Sequence, residues 1–292
     1  MTLRVLETGP LALVEDLGRP GWAALGVSPS GALDRAALRL GNRLLGNEEG
    51  AAGLELLLGG LVVRFESAAW FAVTGAEGGL ELDGRPVDPH LAVQAPAGAV
   101  LRVGRPDHGM RHYLTVRGGI DMDPVLGSRS WDSLAGLGPA PVRAGDLLRL
   151  GAERGAVAAL DFVPLSTPTQ GPIELRAHRG PRADWFTDAA FDAVHDVAWT
   201  VSAESSRVGV RLDPPAAGRH AGPLLERRIA AELPSEPMVA GSVQVSPDGR
   251  PTVLLADHPV TGGYPVIVVV AEASLDLLAQ ARPGQTVTFR RA

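Results

Sequence analysis

The sequence contains no cysteine, and this absence removes several kinds of chemistry together. Disulfide bonds, a thiolate nucleophile and Cys-ligated zinc or iron–sulfur centres are all excluded. Any metal ion would need histidine, aspartate or glutamate ligands, and we predict no metal site. The sequence also lacks a run of about 18 uncharged apolar residues, the length that a membrane-spanning helix requires. We therefore expect no membrane partner.

Basic charge is not in excess either. The net charge is -6, which opposes sequence-independent binding to nucleic acid, because such binding needs a basic surface. The first residues, Met1–Glu7, mix acidic, basic and apolar side chains, whereas a signal peptide has a continuous apolar stretch. These features predict a cytoplasmic protein with no nucleic-acid partner.

Standard catalytic motifs are missing as well. The sequence has no G-x-x-x-x-G-K-[ST] phosphate loop, no G-x-S-x-G nucleophile elbow and no H-E-x-x-H metal pair. If the chain binds ATP, it does so without a Walker loop.

Glycine and proline, in contrast, are abundant, with 36 and 24 residues. Both residues punctuate strands and turns, so their frequency predicts many short strands. Asp83-Gly84 and Asp248-Gly249 lie between strand-like flanks and predict two hairpins. The strand-like runs are Leu11–Glu15, Leu61–Phe65, Trp70–Thr74, Leu91–Gln94 and Val266–Val270. The class predicted is all-β, with few short helices.

Two helices and one boundary stand out against this background. Apolar residues recur at helical spacing from Leu33 to Leu45, and a second helix is expected over Ala271–Ala281. A proline-rich stretch, Asp161–Pro172, favours an extended connector. We predict domains at 1–165 and 166–292, each long enough to enclose a barrel.

Polar turns near the amino terminus are the first candidate site. Asp16 and Arg19 flank Gly18, and an arginine fork suits a carboxylate or amide substrate; a local Asp–Arg pair is the structural alternative. Ser30 and Asp34 follow. The serines of this stretch are expected to cap the helix or to present backbone N–H groups to an anion, and capping is favoured.

Three later stretches add candidates. Ser128 and Ser130 lie in a glycine- and hydroxyl-rich loop that could line a pocket or form an exposed turn. Arg207 and Arg211 are four residues apart along an apparent strand, so both would face one side toward an anionic ligand or solvent. In an extended chain His108 and His112 are roughly 13 Å apart, too far for one metal ion to bridge. We interpret them as a hairpin or surface pair, with contact of one histidine to a substrate or a partner chain as the functional alternative.

The most suggestive stretch is the loop Asp257–Pro265, which enters the apolar strand Val266–Val270. Paired glycines permit close approaches that side chains forbid, and polar groups stand beside them. A purely structural turn competes equally. The loop contributes Asp257, His258, Thr261, Gly262, Gly263 and Tyr264 to the candidate site.

Several motifs in chain order together resemble one family, that of the C subunit of 5-oxoprolinase, also called allophanate hydrolase subunit 2 or the KipA-like carboxyltransferase family. The match runs along essentially the whole chain. The motifs are Glu15–Gly21, Ser30–Asp34, Gly41–Asn47, Leu54-Glu55, Gly118–Ile120, Gly127–Ser130, Ser206–Leu212, Val243–Val245 and Thr261–Pro265.

The resemblance implies two tandem cyclophilin-like β-barrels that act together with other subunits. The implied partners are a smaller subunit of the same family (the KipI-like B subunit of 5-oxoprolinase), with the lactam-utilisation (A) subunit as a further candidate. The preferred function is ATP-dependent hydrolysis of 5-oxo-L-proline, a small amide, to L-glutamate. ATP belongs to the complex, and the subunit that binds it is left open.

Two alternatives stay open under the same resemblance. The first is the carboxyltransferase component of a biotin-dependent urea carboxylase or allophanate system, and biotin is implied only there. The second is a regulatory binding protein, the antagonist of a kinase inhibitor, that does no chemistry.

The preferred function assigns roles to the candidate residues. The catalytic set is Asp16, Asp257, His258 and Thr261. The substrate-binding set is Arg19, Ser30, Asp34, Ser128, Ser130, Arg207, Arg211, Gly262, Gly263 and Tyr264. The chain departs from the family pattern at Pro259-Val260, where Gln-Thr is usual, and at Trp131, where threonine is usual. Both changes bear on substrate identity more than on fold.

Overall fold

The computed structural model describes residues 1–160, 162–163, 168–215 and 225–292. Strands dominate them, as predicted. They are β1 Thr2–Thr8, β2 Leu11–Glu15, β3 Gly53–Leu57, β4 Leu61–Phe65, β5 Ala69–Leu82, β6 Arg85–Pro86, β7 Val93–Ala95, β8 Val100–Val116, β9 Leu147–Arg149, β10 Ile173–Arg179, β11 Trp199–Val201, β12 Gly209–Asp213, β13 Glu236–Pro237, β14 Ser242–Val245, β15 Pro251–Leu254, β16 Thr261–Gly262, β17 Val266–Val270 and β18 Thr286–Arg291.

Helices are short and few in this described part of the chain. They are α1 Arg35–Leu44, α2 Asp188–Asp196 and α3 Glu272–Ala279, with single 3₁₀ turns at Ala23–Leu25 and Ala183–Trp185. The mostly β class is confirmed. The helices predicted at 33–45 and 271–281 are also confirmed, with one to two residues less at each end.

The chain divides into two compact units. The first contains Met1–Arg19, Ser30–Asp132 and Gly136–Pro168, and the second contains Pro20–Pro29, Ser133–Ala135 and Thr169–Ala292. The boundary predicted between residues 165 and 166 lies outside the described residues and stays a prediction.

The first unit is built on a nine-stranded sheet. Its main path is β2-β3-β8-β4-β1-β9, and β5 pairs with β6, β7 and β8. The long strands β5 and β8 run antiparallel along most of their length, with breaks in register near Gly75 and Gly78. One face of this sheet carries the main core, which includes Leu54, Leu114 and Phe71. Helix α1 packs on the same two long strands.

The second unit contains a closed barrel, in the order β10-β17-β14-β15-β12-β11-β18, and a separate β13–β16 ribbon. Strands β10 and β18 close the barrel as a parallel pair. Side chains alternate between the two faces of a strand, and the interior positions Leu175, Val243, Val253 and Phe289 are almost completely buried. Burial on this scale is the main driving force for closing the barrel.

Both predicted hairpins form where the sequence placed them. Leu82 pairs with Arg85 across Asp83-Gly84, and both turn residues have positive φ, as a type I′ turn requires. Val245 pairs with Pro251 across the loop that holds Asp248-Gly249.

Two local predictions were incomplete or wrong. Helix α2 was not predicted, although Thr187 caps it and Asp188 occupies its first turn. His108 and His112 do lie in one long strand, but the interpretation as a surface pair is wrong for His112. That ring is fully buried, because its cross-strand neighbour is Leu56 in the core of the first unit.

Candidate active site

In the first unit, Asp16 is the centre of a hydrogen-bond network. Its Oδ1 accepts from the hydroxyls of Ser128 and Ser130, each at 2.6 Å, and from the Gly18 amide at 2.7 Å. Its Oδ2 accepts from the Arg129 amide at 2.6 Å. Hydrogen bonds to a carboxylate are roughly twice as strong as neutral ones. The carboxylate thus fixes two distant loops to each other.

The two serine side chains of this loop therefore face neither solvent nor an open pocket. Ser128 and Ser130 are fully buried, and the Ser130 hydroxyl also accepts the Asp16 amide at 2.9 Å. Gly138 follows in the same loop with φ +101°, and a Cβ there would meet the Ser130 carbonyl oxygen at 2.1 Å. Only glycine allows this close approach.

Arg19 is almost completely buried and does not pair locally with Asp16. Its Nε donates to the Val125 carbonyl at 3.3 Å, and its Nη2 donates to the Ser130 carbonyl. Within the described residues, its Nη1 has no hydrogen-bond partner. Through Nε and Nη2, the guanidinium supports the loop that holds the serines.

Helix α1 is capped by Asp34 and not by Ser28 or Ser30. The prediction that a serine caps this helix was therefore wrong. The Asp34 carboxylate accepts from the Ala37 amide at 2.9 Å. The Ser30 hydroxyl instead donates to the Trp131 carbonyl at 3.2 Å. The reason is geometric: an N-cap side chain reaches the amides two or three residues later, and α1 begins at Arg35.

A buried group that we did not predict adjoins this helix. Glu55 Oε2 accepts from the Tyr113 hydroxyl at 2.7 Å and from the Leu33 amide at 3.0 Å, and Arg111 lies 3.4 Å from Oε1. Burial and then the Glu55 charge raise the pKa of the Tyr113 hydroxyl, so it stays protonated and donates. A glutamate inside the apolar run Gly53–Leu57 was the available signal.

In the second unit, a buried ion pair replaces the predicted arginine pair. Arg207 precedes β12 and binds Asp257, with Nε to Oδ2 at 2.9 Å and Nη2 to Oδ1 at 3.2 Å. Arg211 lies in β12, is exposed, and binds Glu204 at 2.7 Å. The prediction that the two guanidinium groups share one face was wrong, because Arg207 lies in the bend before the strand begins.

Asp257 has further partners that hold its carboxylate in place. The Ser133 amide and hydroxyl donate to Oδ2 at 3.0 and 2.6 Å, and Ser28 donates to the adjacent Ala256 carbonyl at 2.9 Å. Ser133 was a missed residue, since nothing in its local sequence indicates a partner so distant in the chain. These donors hold the Asp257 carboxylate in a fixed position.

The loop after Asp257 contains both buried and accessible groups. His258 is buried, with Nδ1 2.8 Å from the Pro259 carbonyl oxygen. Thr261 and Gly263 are exposed, and Tyr264 is 46% exposed. These exposed groups can meet a ligand, whereas the His258 side chain is buried.

The double glycine serves close approach rather than a left-handed turn. A Cβ on Gly262 would lie 2.4 Å from Nε2 of Gln244, and one on Gly263 would lie 3.3 Å from the Leu233 carbonyl oxygen. The structure thus agrees with the expectation that the paired glycines permit close approaches. Gln244, the side chain that Gly262 admits, was not predicted.

The predicted residues therefore form a separate group in each unit. Asp16, Arg19, Ser30, Asp34, Ser128 and Ser130 belong to the first unit, and Arg207, Arg211, Asp257, His258, Thr261, Gly262, Gly263 and Tyr264 belong to the second. The charged side chains are mostly buried and bonded to other residues of the same unit. Such bonds hold loops in place. Arg211, Thr261, Gly263 and Tyr264 are the accessible ones.

Residues 25–291 match the family described as "Carboxyltransferase domain, subdomain A and B". The chain belongs to this carboxyltransferase family. The family resemblance inferred from the motifs is confirmed, since the C subunit of 5-oxoprolinase from Escherichia coli (strain K12) is 39% identical over 98% of this chain and 90% of that protein.

Larger proteins also contain this carboxyltransferase domain. The urea amidolyase of Lachancea kluyveri is 29% identical over 98% of the chain, but only 16% of that protein is covered. The crystal structure of TTHA0988 matches with a TM-score of 0.87 and 37% identity over 99% of the chain. Here the chain spans about half of the solved protein, with 55% covered.

The helices of this family member are short. Within the described residues, none of them is long and apolar enough to cross a membrane.

Proposed function

We propose that this chain is a subunit of a heteromeric ATP-dependent 5-oxoprolinase, which converts 5-oxo-L-proline to L-glutamate. The proposal rests on a match along nearly the full length of both proteins. In that match, 98% of this chain aligns with 90% of the E. coli protein named as the C subunit of 5-oxoprolinase. With the urea amidolyase, the chain accounts for only 16% of the relative.

Hydrolysis of the lactam needs several kinds of chemical group, and this chain can supply some of them. Transfer of the terminal phosphoryl group of ATP to the oxygen of a stable lactam releases ADP and makes the carbonyl carbon a better electrophile. Attack of water on that carbon then opens the ring and releases phosphate. A site for such a reaction needs proton-transfer groups and donors for the developing negative charge. In this proposal Thr261 and Arg211 of the second unit meet the substrate. The Arg207–Asp257 pair holds loops of the second unit in place, and Asp16 holds loops of the first unit in place.

The proposal includes partner chains. A smaller subunit of the same family and a lactam-utilisation subunit would complete the enzyme, and ATP is assigned to the complex rather than to residues of this chain. The word "subunit" in the name of the E. coli relative supports this composition.

Reconstitution tests the function directly. The full chain is combined with the smaller subunit and the lactam-utilisation subunit from the same genome, and glutamate release from 5-oxo-L-proline is measured with and without ATP. We expect release that requires ATP and all the chains. Complete turnover by this chain alone, or no turnover by the full complex, would contradict the proposal.

A second function is supported by the match to the carboxyltransferase family and to urea amidolyase. Under it, the chain transfers carboxylate from carboxybiotin to urea together with a carboxylase and a biotin carrier. Biotin-dependent carboxylation of urea, in place of glutamate release, would favour this function. Stable association of the subunits with neither activity would favour a regulatory role.

Loop variants connect the activity to this chain. In the active complex, Asp16→Asn should lower kcat at least about tenfold, because each weakened hydrogen bond to the carboxylate costs about 1–3 kcal/mol and loosens the serine loop. The matched control is Asp192→Asn, which removes an exposed carboxylate paired with Arg291. Equal kcat values for the two variants would show that the Asp16 network does not contribute to activity.

A further inference from the structure

The outer face of the barrel in the second unit has a groove of about 740 Å³. Arg211 pairs with Thr252, and Thr252 pairs with Gln244, so these three side chains form a row across β12, β15 and β14. Their strand neighbours Val210, Val243 and Val253 are buried in the barrel. Because side chains alternate along a strand, the row of three faces outward into the groove.

Gln244 is the unusual member of this row. It is only 8% exposed, and its Nε2 donates to the Tyr264 carbonyl at 3.2 Å and to the Met238 sulfur at 3.4 Å. Both of these partners can only accept, so the amide nitrogen must face them. Gly262 leaves room for that nitrogen, since a Cβ there would lie 2.4 Å from it.

This anchoring leaves the amide oxygen of Gln244 as a fixed acceptor. Within the described residues, no group donates a hydrogen bond to it, and it is not sealed from solvent. A buried polar group is costly unless it is paired, so the groove favours a ligand that offers an N–H there.

Two arginines make the groove suitable for a ligand that also carries a negative charge. Arg211 and Arg250 both line the groove. Arg211 pairs with Glu204 at 2.7 Å, and Arg250 pairs with Asp213 at 3.5 Å and with Asp248 at 3.8 Å; all five side chains are substantially exposed. Exposed pairs contribute little energy, so a ligand carboxylate can compete for an arginine fork.

The acidic residues of the groove restrict the ligand further. Glu204 and Asp248 also line it, so an anion that makes no other contact gains little from the two arginines. A ligand that donates an N–H to Gln244 and also presents a carboxylate satisfies both the Gln244 amide oxygen and an arginine of the groove.

We propose that this groove binds a small amide that carries a carboxylate, with the amide N–H donated to Oε1 of Gln244 and the carboxylate bound by Arg211. The inference rests on the proposed function, because 5-oxo-L-proline has a lactam N–H and a carboxylate. It adds a specific binding position for this substrate within the second unit.

The Michaelis constant of the reconstituted complex tests the position. Arg211→Gln and Gln244→Met should each raise the KM for 5-oxo-L-proline about tenfold or more, which corresponds to the loss of one hydrogen bond to a charged or buried group. The matched control is Arg290→Gln, because Arg290 forms a similarly exposed pair with Glu174, at 3.0 Å, in β18 and β10. That variant should keep the wild-type KM.

Direct binding to the full chain separates the two proposals. Calorimetric titration with 5-oxo-L-proline is compared with 2-pyrrolidinone, which lacks the carboxylate, and with N-methyl-5-oxoproline, which lacks the N–H. Both analogues should bind at least about tenfold more weakly than 5-oxo-L-proline. Gln244→Leu also removes the acceptor and serves as a second variant if Gln244→Met fails to fold.

Each result has one meaning. Turnover with an unchanged KM in Arg211→Gln and in either Gln244 variant would overturn the groove while leaving the 5-oxoprolinase function intact. If the complex shows no turnover, the titration decides: binding that the Arg211 and Gln244 variants weaken supports the groove, and binding that is absent or insensitive to them overturns it.

Discussion

At the scale of the residue, Arg207 and Asp257 hold two charges almost completely out of water. Their side chains are 5% and 0% exposed, and they meet at 2.9 Å. Removing one member of such a pair leaves an uncompensated buried charge, whereas removing both leaves a smaller defect. The pair is therefore a sensitive point of the second unit.

Stability measurements can test this difference. Arg207→Met should lower the free energy of unfolding by about 3–5 kcal/mol, as followed by urea denaturation. The double variant Arg207→Met/Asp257→Asn should lose less than the single variant. The exposed pair Arg290–Glu174 is the control, and its loss should cost about 0.2–1 kcal/mol. A loss of that small size at Arg207 would show that the buried pair is unimportant.

His112 gives a pH-dependent prediction. Burial, followed by the nearby charge of His90, lowers the pKa of His112 to about 4. The unfolded chain binds a proton near pH 6.5, while the folded chain resists it until about pH 4. Stability is therefore complete above pH 6.5 and falls as the pH decreases from 6.5 to 4, by up to about 3 kcal/mol.

The measurement compares wild type with His112→Gln by urea unfolding between pH 7 and pH 4. The variant should lose less stability over this range than wild type. His178→Gln, at an exposed position of β10, controls for the removal of any histidine. A variant curve parallel to that of wild type would contradict the assignment to His112.

At the scale of the element, α1 depends on its first turn. The Asp34 carboxylate caps the helix, and the Asp34 amide donates to the Tyr113 hydroxyl at 2.8 Å. Gly41 packs where a Cβ would meet the Thr115 hydroxyl at 2.5 Å. The helix can therefore approach β8 closely, with its entry fixed by one carboxylate.

Substitution of Asp34 separates capping from substrate binding. Asp34→Ala should lower the free energy of unfolding by about 1 kcal/mol, while Asp34→Asn should lose much less, because asparagine caps almost as well. Thermal or urea unfolding measures both. If Asp34→Asn folds normally but the complex loses most of its activity, the charge of Asp34 has the predicted substrate role.

Elements with strong local signals were the predictable ones. The strands Leu11–Glu15, Leu61–Phe65 and Val266–Val270 have the predicted limits, because each is an apolar run bounded by turn residues. Helix α2 was missed, since its alanine-rich sequence has a weak apolar stripe, although Thr187 and Asp188 mark its start. Arg207 was misplaced because sequence periodicity does not reveal where a strand begins.

At the scale of the whole molecule, the second unit is not one continuous stretch of chain. Ser28 and Ser133 belong to it and hold the Ala256–Asp257 bend. A fragment of residues 169–292 lacks both serines and their hydrogen bonds. We expect the amides of β14 and β17 to exchange with solvent faster in this fragment than in the full chain.

Hydrogen-exchange mass spectrometry at matched pH and temperature can test this. The full-length variant Ser133→Ala is the control for the loss of a single hydroxyl, and its exchange rates should lie between the two. Equal protection in the fragment and the full chain would show that residues 169–292 form an independent barrel.

The sequence by itself determined the mostly β class, both glycine hairpins, the helices near Leu33 and Ala271, and the family. These follow from local periodicity, turn chemistry and ordered motifs, all of which are read from neighbouring residues. Only the tertiary structure decided which polar residues are buried in networks and which are free to meet a ligand. Asp16 is hydrogen-bonded to Ser128, and Ser133 to Asp257, although the members of each pair are more than 100 residues apart in the chain. Such pairings depend on how strands are arranged in space, which local sequence does not encode.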